Sequence, residues 1–291
     1  MNLLISVIIP VWNDEKRISF CLDALSEQTI GLDNFEVFVV NNASTDGTAK
    51  VLEAYPWITV LYESKEGSYV ARNRAIGLAK GEYLAFTDSD CIPSKSWLQA
   101  CVNCASQHSD FGVIAGKVAF FEALDSHVEQ SALDFETLFS MDQKINSQSG
   151  VSITANFFVK REVVLSLGGF NASLKSGGDH ALSKRIFALG KPVIYCADGV
   201  VSHPARNIKE LLNKRRRVIG GSWDDSQSKN KVFTFTWRAT KLLLKRQFKV
   251  ILTGKVTFKS KPSISWLLIR IYFVSLSEIF RLSNGGISSR S

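Results

Sequence analysis

Short apolar runs alternate with segments of helical spacing through the first half of the chain. Residues 5–10 read as a buried strand, and 14–28 as a helix with Ile18, Cys21, Leu22 and Leu25 on one face. A second strand over 35–40 leads into a polar turn at 41–48. A helix over 46–55, a strand over 58–62 and a helix over 68–79 follow. The strand 83–87 and the helix 97–106 complete a repeating βαβ pattern, which predicts a mostly parallel sheet with right-handed crossovers. Beyond Phe111 the pattern loosens. Strands are expected at 113–121, 152–160 and 192–196 and a helix at 179–189, while 131–143 reads as helix or loop. From Lys209 onward the chain becomes helical and basic. Residues 263–282 are long enough to span a bilayer, but they carry Arg270 and Glu278, and a central arginine costs about 2.5–3.5 kcal/mol to insert. A helix lying in the membrane interface and one docked on protein are both consistent with this segment.

Composition sharpens the division. Residues 1–204 carry 16 Lys and Arg against 23 Asp and Glu, whereas residues 205–291 carry 19 against 4, so a net −7 is followed by a net +15. This predicts a main domain over 1–205 and a basic, apolar helical region over 206–291 that meets an anionic surface. The basic residues are interleaved with Leu, Ile, Val, Phe and Trp at helical spacing, which suits a membrane surface and argues against nucleic acid. The opening residues lack the basic n-region and cleavage site of a signal peptide. Five cysteines, an odd number in a long chain, argue against a disulfide framework and for a reducing cytoplasmic compartment. Cys101 and Cys104 have zinc-like spacing, but no second pair matches them, so they read as core thiols.

The densest chemistry is at Asp88-Ser89-Asp90, directly after the apolar strand that begins at Tyr83. Ligands of open α/β sheets gather at the carboxyl ends of the strands. Residues two apart in an extended segment point to one side, so Asp88 and Asp90 can converge on a divalent cation; a solvated turn has the same composition. Asp179 stands where a helix is expected to begin, and reads either as a general base or as an N-cap.

Six segments, in order, resemble the family 2 glycosyltransferases over about residues 3–205. They are Ser6-Val7-Ile8-Ile9-Pro10-Val11-Trp12-Asn13, the turn Asn41–Thr48, Ala71-Arg72-Asn73-Arg74-Ala75-Ile76-Gly77, Gly81-Glu82-Tyr83 leading to Asp88-Ser89-Asp90, Gly168-Gly169-Phe170 with Gly177-Gly178-Asp179, and Val201-Ser202-His203-Pro204. The resemblance implies a GT-A fold: a Rossmann-like, mostly parallel mixed sheet flanked by helices. It implies inverting transfer from a nucleotide-sugar donor to a saccharide or lipid-linked acceptor with Mn²⁺ or Mg²⁺, in cell-surface polysaccharide or glycolipid synthesis. By the same resemblance Asp179 is the base and Asp90 binds the cation, with Asp88 and His203 as further metal or diphosphate contacts. Pro10, Val11, Asn13, Asn41, Arg72, Asp88 and Ser89 would hold the donor. The chain departs from the family at Asn41, where an aspartate is usual, and at Gly178, where glutamate is frequent. Trp223 is not preceded by the Gln-x-x-Arg-Trp motif of processive synthases, which predicts addition of one sugar per acceptor. An acting place at the inner face of the membrane completes the expectation.

Overall fold

The computed structural model describes residues 4–122, 127–224 and 226–288, leaving Met1–Leu3 outside. In chain order the elements are β1 (Ile5–Val11), α1 (Ile18–Ser26), β2 (Phe35–Asn41), α2 (Thr48–Leu52), β3 (Thr59–Tyr62), α3 (Ser68–Ile76), β4 (Tyr83–Phe86), β5 (Ile92–Pro93), α4 (Trp97–Gln107) and β6 (Val113–Phe121). They continue with α5 (Gln130–Phe139), α6 (Gln143–Gln148), β7 (Phe157–Lys160), α7 (Arg161–Ser166), α8 (Gly178–Ala188) and β8 (Val193–Pro204). The chain closes with α9 (Ile208–Asp224), α10 (Lys231–Leu252) and α11 (Lys261–Ser283). Two compact units emerge, one of residues 1–119 and 141–203, the other of 120–140 and 204–291.

The first unit is built on an eight-stranded sheet in the order β3-β2-β1-β4-β7-β6-β8-β5. Strands β3, β2, β1 and β4 run parallel, as the βαβ pattern predicts, while β7 pairs antiparallel with both β4 and β6. The sheet is therefore mixed, with its parallel half supplied by the first 86 residues. Strand β1 is buried along its whole length, the mark of a central strand covered on both faces. Ile5, Val7 and Ile9 pack with α1 and α4 on one face, and Ile8 packs with Tyr69, Ala71 and Phe86 on the other. Gly81 fixes where β4 meets β1, because a Cβ there would lie 2.5 Å from the backbone of Ile5 and Ser6.

Several expected elements are shorter or begin differently. The segment before α1 is a turn: the Asp14 N–H donates to Thr48 Oγ1 at 2.9 Å, and the Asp14 carbonyl accepts the Arg17 N–H at 3.2 Å. The strand expected at 152–160 begins as a 3₁₀ turn, Thr154–Asn156, whose Asn156 accepts from Trp97 Nε1 and donates to the carbonyls of Lys117 and Gly199. The strand expected at 192–196 continues to Pro204. All five cysteines are free thiols.

The second unit is helical. Segment 131–143, open between helix and loop from sequence, contributes α5, whose Ala132, Phe135 and Leu138 join Leu211, Val250, Ile264, Leu267, Leu268 and Ile271 in one apolar cluster. Helix α11 is long and apolar enough to cross a membrane by length and composition, yet one of its faces lies in this cluster.

Candidate active site

The site begins where β1 and β2 end side by side, with Pro10 in register with Val40 and Val11 with Asn41. Past Val11 the backbone turns sharply, and Asn13 adopts a left-handed conformation (φ 49°) that asparagine tolerates better than most residues. Its side-chain oxygen accepts the Thr45 N–H at 2.7 Å, and its own N–H donates to Ser44 Oγ at 3.0 Å. Asn41 is buried, and its Oδ1 accepts the Ser44 N–H at 2.9 Å. One lone pair of that oxygen is thus engaged within the turn, and the amide nitrogen is a donor that Asn41 can offer a ligand. Asn42 anchors the following loop, donating to the carbonyls of Glu63 and Lys65 and accepting from Gly67 N–H.

The acids follow β4. Asp88 and Asp90 do not sit in an extended segment; the Cys91 N–H donates to the Asp88 carbonyl at 3.1 Å and closes a turn there. Convergence comes from that turn and from β5, which pairs antiparallel with the end of β8 through Ile92–Ser202 and Pro93–Val201. This pairing carries His203, 113 residues beyond Asp90, beside the acids. His203 Nε2 lies 3.8 Å from Asp90 Oδ2, and ligand atoms of Asp88, Asp90, Cys91 and His203 all fall within 4.8 Å of one another. Burial, reinforced by the charges of Asp90 and Asp88, pushes the Cys91 thiol well up.

Behind the acids lies a support that the sequence reading did not single out. Asp14 is buried and accepts from Arg17 Nε at 2.7 Å and from Ser89 Oγ at 2.5 Å. Burial raises its carboxyl above the ordinary value, and the bonds from Ser89 and Arg17 oppose that rise. The Ser89 hydroxyl is therefore turned toward Asp14. Arg17 Nη1 also stands 4.0 Å from Asp90 Oδ2. The signal was present as Asp14 and Arg17 three residues apart beside Asn13.

Arg72 is 3% exposed and donates through Nη2 to Asp88 Oδ1 at 2.5 Å. Its Nε is buried with no hydrogen-bond partner among the described residues, an arrangement that costs free energy unless a further acceptor is supplied. The guanidinium sits 5.8 Å from the ring centre of Tyr69, one turn earlier on α3. The Tyr69 hydroxyl accepts the Gly178 N–H at 2.9 Å and lies 3.5 Å from Asp179 Oδ1. Burial and the Asp179 charge push the Tyr69 phenol up to about 12, so it remains a donor at neutral pH. Tyr69 thus links the Arg72–Asp88 pair to Asp179, a role marked in sequence only by its spacing three residues before Arg72.

Asp179 is not the N-cap of α8. That position is Gly177, at φ 77°, and Asp179 lies in the first turn, accepting the His180 N–H at 2.9 Å. The departure at Gly178 has a physical reason: a Cβ there would lie 2.7 Å from the Tyr69 ring. Glutamate and this tyrosine placement exclude each other. The structure therefore gathers Asp88, Ser89, Asp90, Arg72 and His203, connects Asp179 through Tyr69, and sets Pro10, Val11, Asn13 and Asn41 along the ends of β1 and β2.

This arrangement has relatives. A model of Glycosyl transferase family 2 matches residues 6–168. Glycosyltransferase AglE of Haloferax volcanii is 35% identical over 263 residues, covering 89% of this chain and 82% of the relative. Among solved structures, the mannosyltransferase PcManGT from Pyrobaculum calidifontis, in complex with GDP-Man and Mn²⁺, aligns with a TM-score of 0.59 at 22% identity, over 98% of this chain and 76% of that one. TarS 1-349 of S. aureus, in complex with UDP-GlcNAc, aligns with a TM-score of 0.57 at 17% identity over 98% and 93%. These likenesses show the GT-A fold, and the sequence matches show more: the chain is a glycosyltransferase and belongs to Glycosyl transferase family 2.

Proposed function

We propose that the chain transfers one sugar at a time, with inversion, from a nucleotide-sugar donor to a hydroxyl of a saccharide or lipid-linked acceptor, with the help of Mn²⁺ or Mg²⁺. The observation that carries this reading is the convergence of Asp88, Asp90 and His203 at the carboxyl ends of the strands. Two carboxylates and an imidazole are hard or borderline donors that suit such an ion, while the buried Cys91 thiol is a softer neighbour. A cation held there would supply Lewis-acid neutralisation of the charge that gathers on a departing nucleoside diphosphate. The partnerless Arg72 Nε points to the same class of ligand, since a phosphate or ribose oxygen would satisfy it.

The residues of the chain divide the remaining work. Asp179 takes the proton of the acceptor hydroxyl as its oxygen attacks the anomeric carbon from the face opposite the leaving group. Tyr69, held by Gly178 N–H, orients that carboxylate. Pro10, Val11, Asn13 and Asn41 border the base, and Arg72 and Asp88 the rest of the nucleotide. Residues 1–205 carry this chemistry and 206–291 form a basic region working at the inner, cytoplasmic face of a membrane, in the synthesis of a surface polysaccharide or glycolipid. The donor class is supported by relatives of the same fold that hold GDP-Man with Mn²⁺ and UDP-GlcNAc.

Calorimetric titration with GDP, UDP, dTDP and CMP, with and without Mn²⁺, tests the reading. One nucleotide is expected to bind in a Mn²⁺-dependent manner, and Asp90→Ala is expected to weaken that binding at least about tenfold. Failure of all four to bind, or binding indifferent to Mn²⁺ and to Asp90→Ala, would overturn it.

A further inference from the structure

The second unit exposes large apolar side chains in an order that a soluble helix does not need. On α10, Phe233, Trp237, Leu244, Phe248 and Ile251 are each 62–67% exposed. At about 100° per residue these five fall within a sector of about 60° on one side of the helix. On α11, Trp266, Phe273 and Phe280 are 62%, 62% and 71% exposed and recur every seventh residue. Isolated surface aromatics are ordinary, but aligned rows of them mark an interaction surface.

The two rows lie on the same side of the unit. Three hydrogen bonds join the helices: Thr240 Oγ1 with Tyr272 OH, Gln247 Nε2 to the Ser265 carbonyl, and Lys261 Nζ to the Ile251 carbonyl. Partner numbers fall on one helix as they rise on the other, so α10 and α11 form an antiparallel hairpin. On each helix the exposed row is rotated past the joining side chains in the direction of increasing residue number, by about 60° on α10 and about 95° on α11. In antiparallel helices those rotations turn toward one common side. Continuing the same rotation brings Lys241 and Lys245 on α10 and Arg270 on α11, all exposed, so basic residues border the aromatic band on both outer edges. Arg270 also lines a cavity of about 260 Å³ with Lys209, Arg216 and Glu129, whose Oε2 accepts the Ile208 N–H.

We propose that this joint face of α10 and α11 lies on an anionic lipid bilayer, its aromatic band at the boundary of headgroups and acyl chains and its flanking Lys and Arg side chains on lipid phosphates. An apolar band with basic edges is complementary to that surface, and the net +15 of residues 205–291 adds long-range attraction to it. A transmembrane course for α11 does not fit, because its opposite face, Ile264, Leu267, Leu268, Ile271, Ile279 and Leu282, is already packed within the unit. The inference deepens the membrane-face reading above by naming the surface that makes contact.

Co-sedimentation of the full chain with vesicles of phosphatidylglycerol and phosphatidylcholine, against phosphatidylcholine alone, tests it. Wild type is expected to bind the anionic vesicles, and Trp237→Ser with Phe248→Ser to lower the partition coefficient at least about tenfold. Lys241→Glu with Lys245→Glu is expected to lose binding to anionic vesicles while nucleotide binding and the thermal transition stay unchanged, which shows that the variants fold. If wild type binds neither vesicle, the membrane-face reading and this inference both fall. If wild type binds and both double variants bind equally well, the hairpin face is wrong and membrane association has another source. If the aromatic variant instead dissolves a dimer and leaves vesicle binding untouched, the face belongs to a second copy of the chain, and the inference is overturned.

Discussion

The two units treat charge in opposite ways. In the first, the buried charges each have an ion-pair partner: Arg72 with Asp88, and Asp14 with Arg17. Its acids collect at strand ends, where Asp90 and His203 stand at a separation a metal ion could bridge. In the second, cations outnumber acids. Glu136 is buried against Arg206, and Glu278 is paired with Arg281. Lys214, by contrast, is pushed down to about 8 by burial and by the neighbouring charges of Arg206, Arg217 and Arg246, with Glu136 acting against them. Matched charges position side chains for use, whereas an unmatched excess raises the potential of a whole surface. The contrast agrees with the proposal that chemistry belongs to the first unit and attachment to the second.

The largest break in that comparison is a single atom exchange at Asp179. Asp179→Asn keeps the shape of the side chain and its bond from the His180 N–H, but removes the basicity needed to take a proton. Transfer, measured as sugar incorporated into acceptor, is expected to fall about 10²- to 10⁴-fold, while Mn²⁺-dependent nucleotide binding changes less than about twofold. A variant that retains full turnover would remove Asp179 from the role of base and return it to the first turn of α8 as a structural residue.

Much of the first unit was legible because local pattern and global fold agree there. Strand 113–121 and the parallel order of β1, β2 and β4 follow directly from apolar runs separated by helices. The acids at 88 and 90 were legible as residues but not as geometry, since the turn that joins them depends on β5 finding β8 about 110 residues later. Asp14 and Tyr69 were missed for a related reason: local spacing marks Asp14 beside Arg17 and Tyr69 beside Arg72, but each acts through a partner distant in sequence, Ser89 or Asp179, that local spacing does not show. In the second unit the periodicity of 263–282 could not say which face is covered, because aromatic residues lie on both the packed and the exposed sides of α10 and of α11, where Tyr272 meets Thr240 while Trp266, Phe273 and Phe280 face outward. In α5, Ala132, Phe135 and Leu138 join the cluster, and the Arg246 guanidinium carbon lies 5.2 and 5.1 Å from the ring centres of Phe135 and Phe139.

A smaller effect sharpens the contrast from the side of the second unit. Lys214 has its pKa lowered from 10.5 to about 8 on folding, so between these values the unfolded chain holds more protons than the folded one. Its contribution to stability therefore improves as pH rises from about 8 toward 10.5, and at pH 7 the folded state bears the full cost of keeping this ammonium among other cations. Lys214→Met removes the charge and retains an unbranched side chain. Urea denaturation is expected to show a gain of about 1–3 kcal/mol at pH 7, most of it gone by pH 10.5. A gain that is equal at both pH values would trace to packing, and the picture of a unit held under its own positive charge would fail.

The finest test lies at Asn41, a neutral amide in a unit that elsewhere places acids at its strand ends. Its Oδ1 already accepts the Ser44 N–H at 2.9 Å, and in the donor-binding role proposed above its amide N–H is the donor offered to a nucleotide base. Asn41→Asp keeps the bond to Ser44 and exchanges that donor for a second carboxylate oxygen. A base with an N–H at the facing position, such as uracil at N3, then gains an acceptor, while cytosine, whose N3 is itself an acceptor, meets a repulsive oxygen. The ratio of UDP to CDP affinity, measured by calorimetry in the presence of Mn²⁺, is expected to rise about tenfold, or about 1.4 kcal/mol, with the thermal transition unchanged. If the ratio does not move, Asn41 serves only to hold the turn at Ser44, and base selection rests with the backbone after Val11; if it moves as stated, one oxygen-for-nitrogen exchange separates this chain from the uridine preference that an aspartate here would favour.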